Sequence, residues 1–233
     1  MSTVAIILAR GGSKRIPKKN LHSFRGRPLL AWAAEAALGW SGFDQVIIST
    51  DCPEIEAYAY SLGAISLGLR SAEAASDTAS TNDAVLEALQ RMAQGGTMPQ
   101  YACAMYATAV FIEPWQLQTA QDMLDQQHFD LVFPVVRFSY PIWRALHRGA
   151  QGETGFLWPE HSQTRSQDLP ATFHDAGQFY FFRTRTLLET GSLTGGRTGS
   201  FELPETHCHD IDHLVDLQMA EIKHARLHAG ILV

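Results

Sequence analysis

One stretch near the N-terminus decides the fold, Thr3-Val4-Ala5-Ile6-Ile7-Leu8-Ala9-Arg10-Gly11-Gly12-Ser13-Lys14-Arg15-Ile16-Pro17-Lys18-Lys19-Asn20. Its apolar, β-branched beginning predicts a buried strand over residues 3–8. The two glycines let the backbone turn sharply and bring N–H groups close to a phosphate. Arg10, Lys14 and Lys19 supply the charges that an oligophosphate needs. The stretch is neither a Walker A loop nor the dinucleotide glycine pattern. It therefore predicts a different phosphate-binding loop, formed by Arg10, Gly11, Gly12, Ser13, Lys14, Lys19 and Asn20.

Strand and helix patterns alternate after this loop. Helices are predicted over 28–38, 53–62, 114–127 and 213–228, with another capped by Ser80 or Thr81, and strands over 45–51, 101–106, 130–136 and 177–182. This order predicts an α/β fold with three layers, in which helices cover both faces of a mostly parallel sheet. Ligands of such sheets bind beyond the carboxyl ends of the strands, where the loop 10–20 emerges. We expect residues 1–233 to form one domain.

Residues 138–172 interrupt the alternation. They mix Pro, Trp, Arg, His and Gly with little periodicity. A connection this long without strong elements is often functional. The segment is either a projecting arm or a local excursion packed on its own sheet.

Composition narrows the class of protein. The chain is 45% apolar and 18% charged, as in an ordinary globular protein, and its net charge of −6 argues against a general nucleic-acid binder. The three widely spaced cysteines suit reduced thiols rather than a disulfide framework. With no signal peptide or membrane-length apolar run visible, we expect a cytoplasmic protein that does not bind membranes.

A second constellation, Cys208-His209-Asp210-Ile211-Asp212-His213, precedes the last predicted helix. In an extended chain Asp210 and Asp212 point to the same side, and two carboxylates with room for water and phosphate suit Mg²⁺. Two alternatives remain: a zinc site formed by His207, Cys208, His209 and His213, or carboxylates that only end a strand or cap a helix.

The glycine-containing loop, with its Arg-Gly-Gly-Ser-Lys core and Lys19-Asn20, resembles the signature of the CMP-N-acylneuraminate synthetase family, the sugar-acid cytidylyltransferases. Two later segments, Arg165-Ser166-Gln167-Asp168-Leu169-Pro170 and Asp175-Ala176-Gly177-Gln178-Phe179-Tyr180, extend the resemblance, and the second resembles the pseudaminic acid branch. The resemblance runs from residue 3 to about residue 222. It implies a nucleotide-diphospho-sugar transferase fold of the Rossmann-like type, with residues 138–172 as an arm that reaches across a homodimer.

The resemblance also implies roles for single residues. Backbone groups near Arg70 and Ala79, with the Thr81 hydroxyl, would bind the cytosine, and Asp210 and Asp212 would bind Mg²⁺. The sugar acid would contact Tyr106, Thr108, Arg165, Gln167, Asp168 and Gln178. Tyr106 stands where the sialic-acid enzymes carry Gln, as it does in the pseudaminic branch, and Val110 stands where proline is usual.

We therefore expect an enzyme that transfers CMP from CTP to the anomeric hydroxyl of a nonulosonic acid, pseudaminic acid before N-acetylneuraminic or legionaminic acid. Its expected catalytic residues are Arg10, Lys14, Arg165 and Asp210. Stabilisation of charge on the triphosphate would be the main effect, with Mg²⁺ polarising the phosphate and lowering the pKa of the attacking hydroxyl. A metal-dependent glycosyltransferase and a non-catalytic nucleotide sensor are the alternatives of other classes.

Overall fold

A computed structural model describes residues 2–229. Within these residues, twelve strands and seven α-helices follow one another. The strands are β1 Thr3–Leu8, β2 Ser23–Phe24, β3 Arg27–Pro28, β4 Gln45–Ser49, β5 Ile65–Ser66, β6 Tyr101–Tyr106, β7 Leu131–Arg137, β8 Leu146–Arg148, β9 Thr154–Phe156, β10 Phe173–Asp175, β11 Phe179–Arg183 and β12 Thr198–Leu203. The helices are α1 Leu29–Gly39, α2 Pro53–Leu62, α3 Ala72–Ala75, α4 Thr81–Gln94, α5 Pro114–Gln126, α6 Thr184–Thr190 and α7 Leu214–His228.

Eight strands form one mixed sheet in the order β10-β7-β11-β6-β1-β4-β5, with β12 paired to β7. The pairs β4–β1, β1–β6, β4–β5 and β12–β7 are parallel, whereas β10 and β11 run antiparallel to their neighbours. The predicted mostly parallel sheet is confirmed.

Alternation along β1 explains why the sheet lies between two layers of helices. Ala5 and Ile7 pack into a core with α1, α2 and α5, and Val4 and Ile6 pack on the opposite face with α4 and α6. Successive side chains of a strand point to opposite faces, so an apolar run without polar interruptions must be covered on both sides.

Helix boundaries follow local chemistry. Ser80 is the N-cap of α4 and forms a capping box with Asp83, so Thr81 is the first helical residue and its hydroxyl is free to face elsewhere. Helix α2 starts with Pro53 and ends at Gly63, whose φ of 106° closes the helix in the left-handed region.

The sequence patterns missed several elements. The short edge strands β5 and β10 and the strand β12 were not predicted, and neither was α6. Residues 198–203 read Thr-Gly-Ser-Phe-Glu-Leu, whose mixed polarity suits an edge strand of a sheet but gives little apolar signal.

The arm, residues 138–172, contains a separate two-stranded hairpin of β8 and β9 and several short 3₁₀ turns. Trp143 packs edge-to-face on Trp158 and donates a hydrogen bond to the Pro170 carbonyl. Tyr140, Leu146 and Leu157 are exposed, with Tyr140 85% accessible. A role of the arm in dimerisation stays a prediction.

None of the helices between residues 2 and 229 combines the length and the apolar character needed to cross a bilayer.

Candidate active site

A cavity of about 500 Å³ opens where β1 and β6 end. Leu8 of β1 pairs with Ser49 of β4 and with Tyr106 of β6, so the carboxyl ends of three strands share one edge. We call this space the nucleotide cavity. Its lining comprises Leu8, Arg10, Ser13, Lys14, Arg15, Lys19, Asn20, Arg70, Ala74, Ser76, Asp77, Ala79, Ser80, Thr81, Ala84, Tyr106, Ala107 and Thr108. The structure thus brings together most of the residues predicted for the nucleotide.

The base of the phosphate loop is held by short contacts. The Gly11 amide donates to Asp51 Oδ1 at 2.7 Å, and the Asn20 side chain donates to the Arg10 carbonyl at 2.8 Å. A Cβ at Gly11 would lie 2.9 Å from Cys52 Cβ, closer than real Cβ atoms approach, so only glycine fits there. Around Gly12 there is open space. The loop is therefore preorganised at its base and open on its outer side.

Arg10 and Lys14 both contact Asp77, which lies on the opposite wall of the cavity. Arg10 Nη1 is 3.3 Å from Asp77 Oδ1, and the Lys14 ammonium contacts Asp77 Oδ2. The hydrogen bond from Lys14 holds the pKa of Asp77 below its ordinary value. Asp77 thus holds the side chains of Arg10 and Lys14, both predicted to act in catalysis, against the cavity.

Lys19 and Arg15 connect the phosphate loop to the Asp210–Asp212 segment. Lys19 Nζ donates to the Ile211 carbonyl at 2.6 Å and lies 3.3 Å from Asp212 Oδ1, and Arg15 Nη2 lies 2.8 Å from the same oxygen. The loop and the acidic pair were predicted separately, and the fold brings them into contact.

Burial alternates along Asp210-Ile211-Asp212, as expected for an extended segment with Ile211 anchored in the core. Ile211 is buried in a core with Phe111 and Leu217, while Asp210 is exposed and Asp212 is partly exposed. Although Asp210 is exposed as a whole residue, partial desolvation of its carboxyl, with repulsion from Asp212, raises the pKa of Asp210 above its ordinary value.

Two neighbouring carboxylates that repel each other suit a divalent cation that takes oxygen ligands. Within residues 2–229, no group of three or more His, Cys, Asp and Glu side chains could hold a metal. Mg²⁺ is compatible with this, because it is usually held by one or two carboxylates together with waters and substrate phosphates. A zinc site does not fit, since the Cys208 thiol donates to the Ala176 carbonyl and burial raises its pKa to about 11.

Arg70 and Thr81 occupy the wall predicted for the cytosine. The Arg70 guanidinium is turned into the sheet edge, where it donates to the Ser49 carbonyl at 2.6 Å, and its backbone N–H donates to the Thr50 carbonyl. The Arg70 side chain and its backbone N–H therefore hold the ends of the strands, and a role of nearby backbone groups in binding the cytosine stays a prediction. The Thr81 hydroxyl lies 2.8 Å from the Tyr106 hydroxyl.

A second cavity of about 420 Å³ lies beyond the end of β7, on the same edge of the sheet. We call it the distal cavity. It is lined by Val136, Arg137, Phe138, Ser139, Tyr140, His174, Asp175, Ala176, Glu205, Cys208, His209, Asp210 and Lys223. Asp210 is predicted to bind the metal, so this space adjoins the expected site of reaction.

Tyr106 and Tyr180 lie between the two cavities. Their rings pack edge-to-face with centroids 5.9 Å apart, and the Tyr180 hydroxyl donates to Asp175 Oδ2 at 2.6 Å. Burial and the bond to Asp175 raise the pKa of Tyr180, which keeps its hydroxyl protonated. Thr81 in the nucleotide cavity is thus connected to Asp175 in the distal cavity through the side chains of Tyr106 and Tyr180.

Four residues predicted for the sugar acid line neither cavity. Gln178 is 3% exposed and its Nε2 donates to the His207 carbonyl at 2.5 Å, while its Oε1 is buried without a partner in the described residues. Arg165, Gln167 and Asp168 are exposed on the arm. Gln178 therefore supports the segment before Asp210, and the arm residues do not reach the cavities of their own chain.

Sequence reasoning missed Asp77, Arg137, Asp175, Tyr180 and Lys223 as residues of the site. Asp175 and Tyr180 stand inside the segment 175–180, one of the motifs that carried the resemblance, which was a usable signal. Nothing in the sequence pairs Asp77 with Lys14, 63 residues away.

A cation-rich loop at the carboxyl edge of a mostly parallel sheet, within a three-layered fold, is the arrangement expected of a nucleotidyltransferase. The model of the family described as Cytidylyltransferase matches residues 4–189, and the chain belongs to this family. It is 35% identical over 222 residues to a pseudaminic acid cytidylyltransferase of Campylobacter jejuni, covering 95% of this chain and 96% of that protein.

It is also 35% identical over 218 residues to an N-acylneuraminate cytidylyltransferase of Oncorhynchus mykiss, covering 93% of this chain and 49% of that protein. A solved structure of CMP:2-keto-3-deoxy-manno-octonic acid synthetase complexed with CTP shares the fold, with a TM-score of 0.67 and 18% identity over 97% of this chain and all of that one. The predicted family and fold class are confirmed.

Proposed function

We propose that this enzyme transfers the CMP group of CTP to the anomeric hydroxyl of a nonulosonic acid, and that this acid is pseudaminic acid. The observation that carries the proposal is the similarity to pseudaminic acid cytidylyltransferase over almost the whole length of both proteins. In the reaction, the anomeric oxygen forms a bond to the α-phosphorus, the bond to pyrophosphate breaks, and the hydroxyl proton is released to solvent.

The nucleotide cavity is suited to the triphosphate. Arg10, Lys14, Arg15 and Lys19 line it from one loop, and the cytosine would lie toward Ala79 and Thr81. Negative charge develops on the leaving pyrophosphate, and cations already in place stabilise it without reorganisation at the moment of reaction. Catalysis here consists of positioning and charge stabilisation, since no covalent bond to the protein is required.

Asp210 and Asp212 would hold Mg²⁺. When bound, the cation would polarise the phosphate and lower the pKa of the attacking hydroxyl. Lys19 and Arg15 take one oxygen of Asp212 and orient that carboxylate, and Asp210 faces the distal cavity. The pair therefore stands between the phosphates and the second substrate.

The distal cavity is our proposed site for the sugar acid. Arg137 and Lys223 supply positive charge for its carboxylate, and Asp175, Ser139 and His174 supply hydrogen-bonding groups for hydroxyl or acylamino substituents. Tyr106 and Thr108 would meet the sugar from the nucleotide side. Specificity among similar acids depends on such contacts: a lost methylene contact changes transition-state binding by about 1–3 kcal/mol, and a lost hydrogen bond to a hydroxyl changes it by more.

We also propose that the chain works as a homodimer, with the arm supplying Arg165, Gln167 and Asp168 to the partner's sugar site. Support comes from their exposure and from their absence from both cavities of their own chain. Light scattering should give twice the mass of one chain. A monomer with full turnover would contradict this part of the proposal.

The test of the function is pyrophosphate release from CTP and Mg²⁺, with pseudaminic, legionaminic and N-acetylneuraminic acids offered separately. We expect release with pseudaminic acid at a much higher kcat/KM than with the other two. Preference for another nonulosonic acid would overturn the substrate but keep the enzyme class. No release with any of the three would overturn the proposed reaction.

A further inference from the structure

Asp77 is the one carboxylate among the described residues that line the nucleotide cavity. Five cationic side chains share that lining, Arg10, Lys14, Arg15, Lys19 and Arg70. Asp77 contacts two of them, with Oδ1 on Arg10 and Oδ2 on Lys14. These are two of the four loop cations that the proposed reaction assigns to the triphosphate, so a carboxylate stands where phosphate oxygens would bind.

The ion pairs of Asp77 with Arg10 and Lys14 exchange readily with solvent and with other anions. The side chains of Arg10, Lys14 and Asp77 are 43%, 77% and 54% exposed. Ion pairs this exposed contribute little to stability, and solvent or a stronger anion displaces them readily. A polyphosphate carries several charges and can form charge-assisted hydrogen bonds to both cations at once, which one carboxylate on the far wall cannot match.

We infer that Asp77 competes with the polyphosphate chain for Arg10 and Lys14 and thereby limits how tightly the cavity retains pyrophosphate. The inference rests on the proposed function. An entering triphosphate takes over the two cations. After the CMP group has been transferred, pyrophosphate makes fewer contacts than CTP did, and Asp77 re-engages the cations as it departs. In such a cycle the carboxylate speeds product release at a small cost in substrate affinity.

Binding of inorganic polyphosphate tests this without turnover. Pyrophosphate and tripolyphosphate are titrated into the full chain by calorimetry, without Mg²⁺ and without sugar. Asp77→Asn should bind both more tightly, on the order of tenfold, because a like charge has left an anion site. Asp77→Glu, which keeps the charge, should bind nearly as the wild type does. Glu73→Gln is the matched control, since Glu73 is an exposed carboxylate of α3 outside the nucleotide cavity.

Kinetics give a second measurement on the same variants. With CTP, Mg²⁺ and the preferred acid, the inhibition constant for pyrophosphate should fall in Asp77→Asn in step with the binding constant. Weaker or unchanged polyphosphate binding in Asp77→Asn, with active wild type, would overturn the inference and leave the proposed function standing. A wild type that binds polyphosphate but turns over no nonulosonic acid would overturn the proposed function instead. If no variant bound polyphosphate, the inference would also be overturned, since removal of the Asp77 charge would then not have made Arg10 and Lys14 available to a polyphosphate.

Discussion

The nucleotide cavity and the arm differ in whether a single chain brings their predicted residues together. The cavity is built from the ends of β1 and β6 and from the loop 10–20, and its cations have definite partners. The arm carries Arg165, Gln167 and Asp168 on an exposed turn that contacts neither cavity. The proposed nucleotide site is therefore assembled by the fold of a single chain, whereas the proposed sugar site lacks some of its predicted residues.

This contrast has a physical origin. A parallel sheet brings the carboxyl ends of its strands to one edge, so loops that follow those strands must meet there. The arm leaves the sheet after β7 and returns at β10, and its own hairpin is not part of that sheet. Residues on the arm can act at a substrate site only through a further association, and the proposed dimer supplies it.

Lys14→Ala should have the largest effect on turnover. Removing one preorganised cation from a site of developing charge lowers kcat by about a hundredfold or more. The matched control is Lys18→Ala, since Lys18 pairs with Glu54 at 2.6 Å and lies outside the nucleotide cavity. Pyrophosphate release under saturating CTP measures the effect. Equal turnover of both variants would remove Lys14 from the catalytic residues.

Asp210→Asn should lower kcat by about 10–100-fold and raise the Mg²⁺ concentration needed for half-maximal rate. A neutral amide is a poorer ligand for a hard cation than a carboxylate. Asp122→Asn is the control, because Asp122 accepts a hydrogen bond from Gln118 on α5 and lines neither cavity. Full activity with an unchanged magnesium requirement in Asp210→Asn would contradict the proposed metal ligand.

Arg165→Ala tests the arm and should have a smaller, more selective effect. We expect KM for the sugar acid to rise about tenfold, the cost of a lost charge-assisted hydrogen bond, while KM for CTP stays the same. Arg144→Ala, another exposed arginine of the arm, serves as control. Mixing the Arg165→Ala and Asp210→Asn proteins should restore part of the activity if the arm acts across a dimer. An equal rise in both KM values would place Arg165 outside the sugar site.

The pH dependence of stability through His224 tests the structure of the protein away from both cavities. Burial, with the charges of His228, Arg25 and Arg27, lowers the pKa of His224 from 6.5 to about 4, and its Nδ1 lies 3.1 Å from Arg25 Nη1. The neutral ring thus accepts a hydrogen bond from Arg25.

Between pH 6.5 and about 4 the unfolded chain binds a proton at His224 that the native chain does not. Stability should therefore be complete above pH 6.5 and decrease as the pH falls toward 4, by on the order of 1–3 kcal/mol. Urea unfolding across this range measures the loss. His224→Gln, which keeps an acceptor but cannot titrate, should show a shallower pH dependence; an unchanged slope would assign the acid sensitivity to other groups.

The elements that sequence patterns predicted well are those with strong local signals. The strands β1 and β6 and helix α2 agree with the predicted ranges 3–8, 101–106 and 53–62. Their apolar runs and end residues encode them locally. The strands β10 and β12 were missed because they are stabilised by pairing with β7 rather than by their own composition.

The candidate site shows the same difference between features that are encoded locally and features that depend on tertiary packing. The phosphate loop was predicted because its residues are contiguous, and the polar side chains predicted for it, from Arg10 to Asn20, line the nucleotide cavity, whereas Gly11 and Gly12 do not. Gln178 was predicted to contact the sugar, and the structure turns its amide toward the His207 carbonyl instead of either cavity. A motif identifies a residue type at a position, but the direction of a buried side chain depends on what the surrounding elements leave open to it.

The amino-acid sequence by itself determined the chemistry of this protein: a glycine-containing basic loop after a buried strand, a pair of aspartates before the last helix, and the order of elements that places loops on one edge of a sheet. Only the tertiary structure decided which charges meet. Lys19 contacts Asp212 across 193 residues, and Asp77 faces Arg10 across 67. Contacts between such distant residues follow from how the helices and strands pack, and packing depends on the whole chain at once rather than on any one segment.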